Sequence, residues 1–111
     1  MVELGSSREP VVGLAERGDA LVLSLAGELD LADAPALREA LRRAAERSPK
    51  RLVVDLAEVT FVDSTVLGAL VEARSALGGD AFALAAPGLE VRRALEVSGL
   101  DRHFTIETAI E

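Results

Sequence analysis

The stretch Arg51-Leu52-Val53-Val54-Asp55-Leu56, followed by the connection Ala57 to Asp63 and the segment Thr65 to Leu77, decides the fold. Its first part is a nearly continuous apolar run, the pattern of a central strand covered on at least one face. Its last part places Val66, Leu67, Leu70, Val71, Ala73 and Leu77 on one helical stripe, and Gly78-Gly79 ends that helix. A strand feeding a helix through a short connection is half of a crossover unit, and such units build parallel sheets.

Working outward from this unit, Val11 to Glu16 and Ala20 to Gly27 read as two strands turning about Arg17-Gly18-Asp19. Glu28 to Ala32 reads as a short connection. Asp33 stands where it can cap a helix, with Pro35 in the first turn. Leu37, Ala40, Leu41, Ala44 and Ala45 then recur at helical spacing, and the helix ends near Ser48 with Pro49 as its stop. Its other face interleaves Arg38, Arg42, Arg43 and Arg47 with Glu39 and Glu46, an exposed face of i,i+4 pairs rather than a nucleic-acid patch. Downstream, Ala81 to Ala85 reads as a strand. After Pro87-Gly88, Leu89 to Val97 reads as a helix ended by Ser98-Gly99. A tight connection, Leu100 to His103, leads to a last short strand at Phe104 to Ile106, and little beyond it except a stub of helix. His103 in that polar turn reads as a capping or surface group rather than a base. The expected fold is α/β: a mixed four- to five-stranded sheet with helices packed mainly on one face. Residues 11–111 form one domain, and residues 1–10 a flexible lead-in.

Composition narrows the function. The chain has 111 residues, no Cys, no Trp, no Tyr and a single His, so a thiolate metal site, a redox pair and a histidine relay within one chain are not expected. A net charge of −7 argues against a nucleic-acid or anionic-membrane surface as the main partner. No apolar run approaches the roughly 20 residues that span a bilayer, so no membrane insertion is expected. Met1 to Pro10 lacks the basic flank and apolar centre of a signal peptide, and the expected location is cytoplasmic.

The sharpest local feature is Phe61-Val62-Asp63-Ser64-Thr65-Val66-Leu67-Gly68, at the junction of the central strand and its helix. Asp63 or Ser64 can cap the helix by accepting a backbone N–H bond, and capping alone would account for both. A serine at a helix start can also carry a phosphoryl group, since the dipole and N–H groups tolerate an anion there. This segment resembles the phosphorylation-site motif of STAS-domain anti-sigma factor antagonists, the SpoIIAA-like proteins: a hydrophobic pair, then Asp-Ser-Ser/Thr-Gly-Leu-Gly. Leu25-Ala26-Gly27-Glu28-Leu29-Asp30 resembles that family's Leu-x-Gly-Glu-Leu-Asp, and Val91 to Leu100 resembles its third helix and turn. The likeness covers roughly residues 11 to 106 in order.

The resemblance implies a STAS fold with Ser64 as phosphoacceptor, Asp63 as its acidic neighbour and Thr65 as a second hydroxyl. It implies a partner-binding surface formed by Gly27, Glu28 and Asp30 beside that serine, together with Asp63, Thr65, Val66 and Gly68. Val66 stands where the family pattern has Gly, which would add bulk beside the phosphoacceptor. By themselves, Gly27 reads as a backbone turn and Glu28 and Asp30 as a solvated loop. A hard-metal site at Glu28, Asp30 and Asp63 has no second signature to support it, so no metal or cofactor is expected. The implied function is an anti-sigma factor antagonist, not an enzyme. It would bind an anti-sigma factor serine kinase when unphosphorylated, be released on phosphorylation of Ser64, and be reset by a serine phosphatase. The alternative is a soluble STAS subunit of an ABC-type transport system that binds an ATPase, with Ser64 only a helix cap.

Overall fold

The computed structural model describes residues 9–108. Most of the expected lead-in and most of the C-terminal stub lie outside them. β1 (Val11–Arg17) and β2 (Ala20–Leu29) form an antiparallel hairpin about Gly18. There follow α1 (Ala34–Glu46), β3 (Arg51–Val62), α2 (Ser64–Leu77), β4 (Phe82–Ala85), α3 (Leu89–Ser98) and β5 (Thr105–Glu107). The five strands lie in chain order, β1-β2-β3-β4-β5, and every pair after the hairpin is parallel. Each crossover therefore advances one strand in the same direction. Right-handed crossovers of that kind set α1, α2 and α3 on one face of the sheet.

Period-2 alternation along the strands divides the core. Leu21, Leu23 and Leu25 of β2, Leu52, Val54 and Leu56 of β3, and Phe82 and Leu84 of β4 meet the helices. The helices answer with Leu37, Leu41 and Ala44, with Val66, Leu67 and Leu70, and with Val91 and Leu95. The opposite face carries small side chains, Ala20, Val22, Val53, Ala83 and Ala85, in a separate buried strip. Apolar stripes that face a flat sheet explain why an Ala- and Leu-rich chain packs three helices so closely on it.

Four expectations are corrected by the structure. The segment Ala57–Asp63 is not a loop: β3 continues to Val62. Its partners step from Ser24↔Asp55 to Ala26↔Glu58, and from Gly27↔Val59 to Glu28↔Phe61, so β3 carries an extra residue at each step. These bulges put its buried residues, Leu56, Val59 and Val62, three apart rather than two, which hides the strand from an alternation test. Glu28 and Leu29 likewise belong to β2 rather than to a connection. Asp33 does not cap α1 with its side chain; buried, it accepts the Asp30 N–H at 2.9 Å instead. The His103 ring is half-buried edge-on to Phe104, centroids 5.3 Å apart, and is not a surface cap.

Candidate functional site

The parallel pairing of β2 with β3 builds the site. Leu29 lies beside Val62, and the Asp63 N–H donates to the Leu29 carbonyl at 3.2 Å. The two strands thus end together, and α2 starts at that end. Beyond β2, Leu31–Asp33 forms a short 3-10 turn closed by reciprocal bonds. The Asp30 carboxylate accepts the Ala32 N–H at 3.0 Å, and Asp33 accepts the Asp30 N–H. Gly27 has φ of 93°, a left-handed conformation that a side chain would strain, at the point where the β2–β3 register shifts.

Asp63 is the N-cap of α2. Its Oδ1 accepts the Thr65 N–H at 3.0 Å, the Val66 N–H at 3.1 Å and the Thr65 hydroxyl at 2.6 Å. The Thr65 hydroxyl bond, above all, holds the Asp63 carboxyl below its ordinary range; the N–H groups of Val66, Thr65 and Leu31 add to this, and partial burial opposes it. Ser64 is the first residue of the helix and is exposed, whereas Thr65 is half-buried with its hydroxyl donating to Asp63.

Asp63→Ala should cost about 1 kcal/mol of stability, the usual value of an N-cap. Because the folded pKa of Asp63 is depressed, its contribution is present above the ordinary Asp value of about 3.9 and is lost as pH falls through the folded pKa. Thermal melts of the two proteins should differ near neutral pH and converge on acidification below that range. A constant difference across pH would contradict a charged cap.

Glu28 and Asp30 are exposed beside this helix start, Gly27 and Gly68 are half-buried, and Val66 is 0% exposed. The expected bulk of Val66 beside the serine is therefore corrected: its side chain enters the core. Sequence reasoning passed over two other side chains at this end of the sheet. Leu31, in the 3-10 turn, is 66% exposed, and Phe61, paired with Glu28 across the strands, is 49% exposed. The available signal was a large apolar residue standing between polar ones at the end of a strand. The site thus joins an exposed hydroxyl, a rim of carboxylates and two solvent-facing apolar groups. Such a mixture suits docking of a protein better than enclosure of a small molecule.

Known proteins resemble this chain in sequence and fold. The chain is 35% identical over 96 residues to the anti-sigma-F factor antagonist RsfB of Mycobacterium tuberculosis, covering 86% of this chain and 79% of that protein. The crystal structure of an anti-sigma factor antagonist from Mycobacterium paratuberculosis superposes with a TM-score of 0.82 at 32% identity, covering 90% of this chain and 86% of that one. SpoIIAA in its unphosphorylated form shares the fold, with a TM-score of 0.70 at 22% identity over 85% of each chain. A sulfate transporter family protein from Wolinella succinogenes also shares it, with a TM-score of 0.72 at 18% identity over 86% of this chain and 82% of that one. Residues 12–111 match the sequence model of the STAS domain, and with that match the chain belongs to the STAS domain family.

Proposed function

We propose that this protein is an anti-sigma factor antagonist whose binding is switched at Ser64. With Ser64 unmodified, it docks on an anti-sigma factor serine kinase through Glu28, Asp30, the Leu31 turn, Phe61 and the first turn of α2. The kinase then phosphorylates Ser64 and is released, and a serine phosphatase resets the chain. The protein itself is a substrate and a switch in the cytoplasm, not a catalyst.

The observation that carries this reading is the contrast between two adjacent hydroxyls. Thr65 is committed to Asp63, while Ser64 is exposed at the first position of α2, beside the end of β2. A phosphoryl group there adds roughly −1.5 to −2 charges. It would stand near Glu28, Asp30 and Asp63 on a chain whose net charge is already −7. Desolvating that anion against a partner, or facing it with a like charge, costs about 3 kcal/mol, roughly a hundredfold in affinity. The backbone need not refold for the partner to leave.

Incubation with a cognate anti-sigma factor serine kinase and ATP should add one phosphoryl mass to the intact protein, and Ser64→Ala should abolish the gain. Ser64→Glu should weaken kinase binding while leaving the fold intact by circular dichroism. Gain of the same mass in Ser64→Ala would move the acceptor elsewhere. A wild type that is never modified and instead co-purifies with a transporter ATPase would replace this reading with that of a structural subunit.

A further inference from the structure

We propose that Arg38 of α1 leaves Glu72 and pairs with the phosphoryl group once Ser64 carries it. This rests on the reading of Ser64 as phosphoacceptor and assigns that site its charge partner within the chain. Ser64, Gly68 and Glu72 stand at i, i+4 and i+8, one line along α2. Arg38 grips the far end of the line: Nε donates to one Glu72 oxygen at 2.9 Å and Nη2 to the other at 3.0 Å. Both side chains are substantially exposed.

The two helices set the reach. α1 and α2 both return across the same face of parallel strands, so they run in the same direction. Arg38, Leu41 and Ala45 of α1 line one groove with Ala69, Glu72 and Ala76 of α2, which sets Arg38 level with the Gly68–Ala69 turn. From that level, Glu72 is one turn toward the C-terminus and Ser64 one turn toward the N-terminus. A Cβ on Gly68 would lie 4.0 Å from Arg38 Nη2, an ordinary contact. Packing therefore does not require glycine here, although glycine inside a helix is unfavourable. Its effect is an open lane along which the guanidinium can pass. Helical side chains lean toward the N-terminus, so the swing toward Ser64 follows the natural direction of Arg38.

Two of the N–H groups at the helix start are not free for the phosphoryl group. The Thr65 and Val66 N–H groups are already engaged by Asp63. A dianionic phosphate competes better than a carboxylate for a planar guanidinium, and an exposed ion pair such as Arg38–Glu72 yields readily. Once Arg38 moves, Glu72 is left unpaired at the rim of the groove formed by Leu41, Ala45, Ala69, Ala73 and Ala76. The modification at Ser64 is then felt between the two helices as well as at the serine.

The test uses full-length protein with phosphoserine incorporated at position 64 during synthesis, so no kinase is needed. Phosphorus NMR follows the phosphoserine titration, with Asp63, Glu28, Asp30, Glu72 and Arg38 as the surrounding charges. Arg38→Gln should raise the titration midpoint by about half a pH unit, and Glu72→Gln, which releases the guanidinium, should lower it. Gly68→Leu, which obstructs the lane, should behave like Arg38→Gln. The Arg38 Nε–Hε resonance should also move between the unmodified and phosphorylated proteins. An unmoved resonance, with the same midpoint in wild type and Arg38→Gln, would overturn the proposal. Failure of the phosphoacceptor reading would appear separately, as absence of mass gain with the kinase.

Discussion

Val66→Gly is expected to lower the unfolding free energy by about 3 kcal/mol, a large part of the roughly 5–15 kcal/mol that holds a domain of this size. Two effects add. Val66 is 0% exposed and packs in the main core cluster with Leu67 and Leu70, so losing its side chain leaves a cavity under the first turn of α2. Glycine also costs about 1 kcal/mol in a helix relative to a good helix former. The substitution restores the residue that the SpoIIAA-like pattern carries at this position, yet here it should harm the fold. Urea unfolding would measure it. Val66→Ala, which keeps the helix preference but not the volume, should lie between. A Val66→Gly protein as stable as wild type would mean that the neighbouring strands collapse into the space.

Phe61→Ala is expected to weaken partner binding about thirtyfold, the effect of losing one central aromatic anchor of roughly 2 kcal/mol. The ring is 49% exposed near the end of β3, next to Glu28. A large aromatic half in solvent contributes little to folding, so stability should change by less than about 1 kcal/mol. Affinity measured by calorimetry with the serine kinase, alongside a thermal melt, separates these quantities. Unchanged affinity would remove Phe61 from the docking surface and leave it as a strand-end residue. Leu31→Ala should weaken binding in the same direction, since Leu31 is 66% exposed in the adjoining turn.

The order of elements was legible because each helix and strand carries its own period. The stripe from Val66 to Leu77 and the run from Leu52 to Leu56 needed no knowledge of their neighbours. The family motif at Phe61 to Gly68 was legible for the same reason: its residues are contiguous. The second half of β3 was not legible. Its buried residues fall three apart, and that spacing follows only from bulges against β2. Asp33 was read as a cap for α1, whereas the turn before the helix claims its carboxylate.

The arginine face of α1 shows the boundary well. Its interleaved charges correctly implied pairs within the helix: Arg42 with Glu39 and Glu46, and Arg43 with Glu39. These bonds, chiefly those from Arg42 and Arg43, hold the Glu39 carboxyl at about 2. Arg38 and Arg47, however, leave the helix for Glu72 and Glu16. By itself, the sequence determined what repeats locally: the alternation of strands with one-sided helices, a helix cap at Asp63 or Ser64, and the motif around Ser64. Tertiary structure alone decided which residues turned inward and which met. It left Phe61 and Leu31 in solvent and set Arg38 level with Gly68. The physical reason is that burial and long-range pairing depend on strand register and helix direction, which form only when distant segments pack.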